Sequence, residues 1–290
     1  MKLYGVIHVQ VEGDAILREP GVLARISRAL GREPDLRTGR TRASIEAAAI
    51  VDGVRAALSE LGARNALSLV IDDVVVFQDR DRRDDDLGDL FLAFHEHAAV
   101  LDGFRTLRLA VEHAEAGNHL VVEVQARTEH PDTEPAVRVI VSGRIEAFEP
   151  RRGESAEAYR ARVTPLLGDR RIVDLAQAAF DSFVMRCRDA IARAMPETRP
   201  AIAASEVRVE KPEAHADRRR GPRPDDPNYD PHEAHYGNPM LGMMSMAMWS
   251  SLLLMAPGIV PVDAGNAPID DIDVAQLPSE SDAASWFEDW

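Results

Sequence analysis

A chain of 290 residues with 45 % hydrophobic content can bury one large core or two small ones, and its formal charge is −15. Residues 212–290 hold 14 Asp and Glu against Arg218, Arg219, Arg220 and Arg223, and no basic stripe exists elsewhere to neutralise phosphates, so nucleic-acid binding is not expected. Cys187 is the single cysteine, which excludes an intramolecular disulfide and any Cys-based zinc or redox motif.

The opening MKLYGVIHVQVEGD has an apolar run broken by His8, Gln10 and Glu12, unlike a signal-peptide core, so cytoplasmic synthesis is the expectation. Leu3, Gly5, Ile7, Val9 and Val11 alternate with Tyr4, Val6, His8 and Gln10, which predicts a strand. Residues 21–31 space Val22, Ile26 and Leu30 for a helix that stops at Gly31. A second helix is predicted from an N-cap at Ser44, through Ile45, Ala48, Ala49, Val51, Val54, Leu58 and Leu61, to Gly62. Residues 66–78, apolar apart from Asp72 and Asp73, read as one buried strand, followed by the charge run at 79–86.

Leu87, Leu90, Phe91, Phe94, Ala98 and Leu101 mark a third helix. Three alternating stretches follow, with Leu107, Leu109 and Val111, then Leu120, Val122, Val124 and Ala126, then Val137, Val139, Val141 and Ile145 on their apolar faces. Short turn-rich links predict an antiparallel meander whose other face is polar. A long helix over about 170–195 is expected to bury Ile172, Leu175, Ala179, Phe183, Cys187 and Ile191, and 206–210 to add a strand. The fold class is therefore α+β, an antiparallel sheet with helices packed on one face. Twelve of the 18 prolines lie from Pro196 onward. The expected organisation is a globular domain at 1–211, a Pro-rich flexible linker at 212–238, a Met-rich hydrophobic segment at 239–262 and an acidic tail at 263–290, the region after 211 being largely disordered apart from one hydrophobic helix.

Catalytic signatures are sparse. Residues 95–97 (HEH) point i and i+2 to opposite sides of a helix, and His232 and His235 lack the H-E-x-x-H spacing, so no metal site is expected at either. Glu12-Gly13 ends one strand, and Asp79-Arg80-Asp81 follows another. Were those strands parallel neighbours, the carboxylates of Glu12, Asp79 and Asp81 would converge as Mg²⁺ ligands for phosphoryl or phosphodiester chemistry. This pair of motifs resembles the Toprim catalytic fold of primases and topoisomerases, where a strand-terminal E-G and a D-x-D serve that purpose. The chain departs from that pattern in its two helices without a clear intervening strand and in the antiparallel meander that follows.

The segment 239–262 carries no charge and holds six of the nine methionines between Met240 and Met255. Asn238-Pro239 as a helix opening and Pro257-Gly258 as a stop predict about 17 helical residues, roughly 25 Å long, short of a bilayer's core of about 30 Å. Met240, Met243, Met244, Met248, Trp249, Leu252 and Met255 would pack on the protein's own domain or a second copy, bind a partner protein, or associate with a membrane. Beyond it, Trp286, Phe287 and Trp290 among acidic residues form a candidate docking peptide. The functional expectation is a non-catalytic interaction or adaptor protein of the cytoplasm without a cofactor, engaging a partner, itself or a membrane; the Mg²⁺ enzyme is the alternative.

Overall fold

A computed structural model describes residues 1–11, 39–79, 93, 103–129, 135–211, 223, 224, 226, 229–238, 240, 243–255 and 258–262. The expected helices at 21–31 and 87–101, and the tail, lie outside the described residues save for position 93. The class is α+β, built on an eight-stranded sheet ordered β3-β2-β4-β5-β6-β1-β7-β8. The strands are β1 (Lys2–Val11), β2 (Asn65–Ile71), β3 (Val74–Gln78), β4 (Thr106–Glu115), β5 (Asn118–Arg127), β6 (Val137–Ile145), β7 (Thr198–Glu210) and β8 (Val260–Val262). All neighbours pair antiparallel except β7 and β8, which are parallel.

The alternation expected in β4, β5 and β6 sets the register. Val122 lies opposite Val111 and Val141, and Val141 opposite Gly5, so one face of the sheet is continuously apolar. Two long helices cover it, α1 (Gly39–Glu60) and α3 (Arg170–Ala194), with the shorter α2 (Ala156–Val163) ahead of α3. Gly5 lets α3 approach closely, because a Cβ there would sit 3.0 Å from Val184 Cγ2 and 3.2 Å from the Phe180 ring. The buried stripe of α3 is Val173, Ala176, Phe180, Phe183, Val184, Cys187, Ala190 and Ile191. Leu175, expected inside, is 71 % exposed, so the stripe is turned by about one position in the first two turns. Cys187 is buried, as its place on an apolar stripe implies, and burial pushes its thiol up to about 12.

Two boundaries differ from expectation. α1 starts at Gly39, and Ser44 lies inside it, where its hydroxyl donates to the Phe104 carbonyl and accepts from the Phe104 N–H. The single strand expected over 66–78 is a hairpin, because Asp72 and Asp73 both take positive φ and turn the chain from β2 into β3. Asp72 Oδ1 stabilises that turn by accepting from the N–H groups of Arg105 and Thr106 at 2.7 and 2.9 Å.

The Met-rich segment folds inward. Its helix, α5 (Met246–Met255), has 10 residues rather than 17 and opens at Ser245, whose hydroxyl accepts from Met248 N. Met240, Met244, Met248, Trp249 and Leu252 are buried in the main core, and Met243 is partly buried against it. The side chain of Met255 lies outside the described residues. Among the described residues no helix is long and apolar enough to cross a membrane.

Candidate functional site

The second face of the sheet was expected to be solvated, yet its middle is buried. Its residues form four cross-strand rows: Lys2, Arg144 and His119; Tyr4, Ser142, Val121 and Glu112; Val6, Ile140, Glu123 and Ala110; and His8, Arg138, Gln125 and Arg108. Glu123, Gln125, Ser142 and Arg144 are all buried. What covers them comes from the stretch read as a flexible linker. Within it, the short helix α4 (Pro231–Tyr236) packs on β5 and β6, and Tyr229, Asp230 and His232 are buried. This strap has few aliphatic residues, which is why composition suggested disorder. Its order comes from polar groups that match the polar face beneath.

Two anchors hold the strap. At the first, Asp230 caps α4 by accepting from Glu233 N and also accepts from Arg144 Nη2 at 2.8 Å, with Lys2 Nζ at 3.0 Å. Lys2 further pairs with Glu233 at 2.6 Å and with Glu210. Burial alone would raise the Asp230 carboxyl, but Arg144 and Lys2 outweigh it and hold the group well below the usual carboxylate range.

The second anchor is a relay of rings. Glu112 Oε1 lies 2.5 Å from His119 Nε2, and His119 Nδ1 lies 2.9 Å from His232 Nε2. Tyr236 donates to Glu112 Oε1 and Asn65 to Glu112 Oε2, while His232 N–H donates to Ser142 Oγ. The hydrogen bond from His119, with those from Tyr236 and Asn65, holds Glu112 down to about 2 against the opposing effect of burial. An ionised Glu112 can only accept, so His119 Nε2 is a donor. With a neutral His119 ring, Nδ1 then accepts from His232 Nε2–H, and His232 keeps its lone pair on Nδ1. That nitrogen is buried without a hydrogen-bond partner. Burial, reinforced by Arg144, lowers the His232 ring to about 3 and keeps it neutral.

A Glu-His-His chain could move a proton, but His232 is only 4 % exposed, and a substrate could not reach its free nitrogen with the strap in place. The relay works as a fastening. Sequence reasoning dismissed His232 and His235 on metal spacing alone. The usable signal was local: Asp230-Pro231 is an N-cap with proline at N1, and Glu233 stands at N3.

The fourth row forms an arginine-rich end of the same face. Arg108 Nη2 lies 3.4 Å from Asp73 Oδ1, and Arg138 Nη2 donates to the Pro224 carbonyl at 3.3 Å. Gln125 and Tyr229 donate to the two oxygens of Glu123. Burial raises the Glu123 carboxyl. A cavity of about 360 Å³ opens here, lined by Arg108, Arg127 and Arg223 together with Thr106, Gln125 and Asp73.

The carboxylate set expected from the sequence does not meet its geometric condition. Glu12 and Asp81 lie outside the described residues, but the strands that precede them are placed. Four strands stand between β1 and β3, and five antiparallel ladders connect the pair. The two therefore run antiparallel, about 24 Å apart across the sheet, with their C-terminal ends pointing in opposite directions. The parallel neighbours required by the Toprim-like arrangement are absent. The physical reason is the β2–β3 hairpin, which sends the chain to the far edge. Among the described residues no cluster of three His, Cys, Asp or Glu could hold a metal ion. Trp286, Phe287 and Trp290 lie outside the described residues.

The fold and this face define an α+β protein with a strapped sheet. No family model, no curated protein and no solved structure matches the chain.

Proposed function

We propose that this chain is a non-catalytic interaction protein that engages another protein through the open edge of β3 and the acidic, aromatic-ended segment at 263–290. The observation that carries the reading is the edge itself. Among the described residues β3 ends the sheet order and pairs only with β2, and it exposes Val74 at 50 % and Val75 at 56 %. An apolar edge strand with unpaired backbone groups is the feature that proteins ordinarily blunt with charge or proline, and it is a template for an added strand. The sequence of the tail supplies a second, independently removable contact: eight acidic residues with Trp286, Phe287 and Trp290 and no basic residue. In this reading Met240, Met244, Met248, Trp249 and Leu252 serve the interior and the partner meets other surfaces.

The test uses the full chain as bait, in wild-type form, as Val75→Lys, and without its last six residues, with light scattering to detect self-association. A partner or dimer retained by wild type and lost with Val75→Lys supports edge docking. Identical partners and mass for all three proteins would refute the proposal.

A further inference from the structure

We propose that the outward side of α3 is a self-association surface, on which the same helix of a second copy packs antiparallel around a two-fold axis level with Phe180. Spacing is the first argument. Between positions 171 and 189 the exposed residues of α3 are Arg171, Leu175, Ala178, Ser182, Met185 and Asp189, with Asp174 beside them. Their steps of four, three, four, three and four residues draw one straight seam, the a and d repeat by which two helices pack. At about 100° per residue this seam lies opposite the buried stripe of Val173, Phe180, Val184 and Ile191, so it faces away from the sheet. The side of a helix turned to water ordinarily carries charge, and the four central positions here carry none. Leu175, at 71 %, is the most exposed large hydrophobic residue among those described, and Met185 stands at 49 %.

The order of residues along the seam is the second argument. Leu175 and Met185 stand five residues either side of Phe180, Ala178 and Ser182 two, and Arg171 and Asp189 nine. An antiparallel second copy therefore sets its Met185 on Leu175, its Ser182 on Ala178 and its Asp189 on Arg171. Large side chains meet large ones, the small pair at the axis lets the helices approach, and opposite charges close both ends. On the flank, Asp174 comes beside Arg188 of the second copy. A parallel copy would bring Arg171 to Arg171 and Asp189 to Asp189, so charge selects the antiparallel arrangement.

These charges are available. The Arg171 guanidinium has no ion pair among the described residues, while Asp189 pairs with its neighbour Arg188 at 2.6 Å and Asp174 with Arg170 at 3.3 Å, all at exposed positions. Such surface pairs are weak and can be shared with a second copy. Arg171 and Arg188 balance Asp174 and Asp189, which makes the seam neutral in a chain of charge −15 whose copies otherwise repel. Its extent sets the strength. A strip about 27 Å long and about 12 Å wide falls below the roughly 800 Å² per partner of a standard interface, so the dimer forms reversibly at micromolar concentration or above.

The experiment is sedimentation velocity of the full chain from micromolar to submillimolar concentration, as wild type, Leu175→Glu, Asp189→Arg, and Arg171→Asp combined with Asp189→Arg. Wild type should show a reversible monomer–dimer equilibrium. Leu175→Glu should raise its dissociation constant at least tenfold while leaving the thermal midpoint of the dilute protein unchanged, because the position is on the surface of the monomer. Asp189→Arg should raise it severalfold, and the charge-swapped double variant should restore it. A wild type that stays monomeric, a dimer indifferent to Leu175→Glu, or a swap that fails to restore association would overturn the proposal. A lower midpoint for Leu175→Glu in a monomeric wild type would do so as well, by assigning the face to the chain's own residues. The result is separable from edge docking, since α3 packs on β1, β6 and β7 while β3 ends the sheet beyond β2. A dimer lost with Val75→Lys and kept in Leu175→Glu would belong to the β3 edge and overturn the seam alone.

Discussion

His232→Gln should remove about 2 kcal/mol of the protein's stability loss between pH 7.5 and 5.0, the buried Met1 amino group, lowered to about 5, and His235 contributing the same amount in both proteins. In the folded chain His232 faces His119 from β5, Arg144 and Ser142 from β6, and its own neighbour Asp230, with Lys2 of β1 and Glu112 of β4 one contact further away. Burial and Arg144 lower the ring from 6.5 to about 3, so below pH 6.5 the unfolded chain binds a proton that the folded chain refuses. The contribution is fully present above pH 6.5 and is lost as pH falls toward 3. One unit of pKa difference is about 1.4 kcal/mol, so by pH 5.0 this ring costs about 2 kcal/mol. His235 is lowered in the same direction, mainly by burial, and adds to the slope in both proteins. Glu112, held near 2, titrates only below its ordinary value of 4.5 and leaves this window nearly unchanged. Urea unfolding at half-unit pH steps, followed by circular dichroism, measures the difference. Wild type should lose about 2 kcal/mol more than His232→Gln between pH 7.5 and 5.0. Parallel curves for the two proteins would show that the ring is not a buried neutral anchor and would refute the reasoning.

Asp230→Ala strips the buried Arg144 of its carboxylate and uncaps α4, while Lys2 keeps Glu210 and Glu233, and leaving a buried charge without its partner costs about 3–5 kcal/mol. The urea midpoint should fall accordingly, and backbone amides of 232–236 should exchange faster than those of β5. Gly143→Ala places a methyl 2.4 Å from Leu120 Cδ2 and 2.8 Å from the His119 carbonyl oxygen, on the strand opposite. The leucine can rotate away but the carbonyl cannot, so a loss of about 2 kcal/mol is expected in the same assay.

The sheet was legible where period-two alternation met short turns, which is why β4, β5 and β6 agree with the sequence closely. The hairpin at Asp72-Asp73 was not, because neither residue is a glycine and the apolar run on both sides reads through the turn as one strand. The exposed Leu175 misled the helical stripe for a related reason: Val173 and Ala176 share its neighbourhood, and hydrophobicity alone cannot fix the rotation of a helix. The inward packing of the Met-rich segment was one of three coverings open to it. The choice between them depends on an available surface, here the end of the core beside β7 and the turn at Thr164–Gly168, which no local pattern reveals.

The strap was the least legible element, and the reason bears on function. Order in a proline- and charge-rich stretch is improbable if apolar burial is its only source, because each fixed residue costs about 1–2 kcal/mol in backbone entropy. Here the sheet face supplies buried polar atoms that need partners. Arg144, Ser142, Glu123 and His119 each find one in 229–236, at Asp230, His232 N–H, Tyr229 and His232 respectively. The match is residue by residue, so it exists only when strap and sheet are read together. It also makes the strap conditional: beside the packing of Tyr229 on Tyr4, Val6 and Ile140 and of Tyr236 on Leu67, Ala110 and Val121, its fastenings are charges and hydrogen bonds that protonation weakens, whereas the helix-covered face holds mainly by buried area. A protein built this way has one face that pH hardly alters and one that acid can loosen.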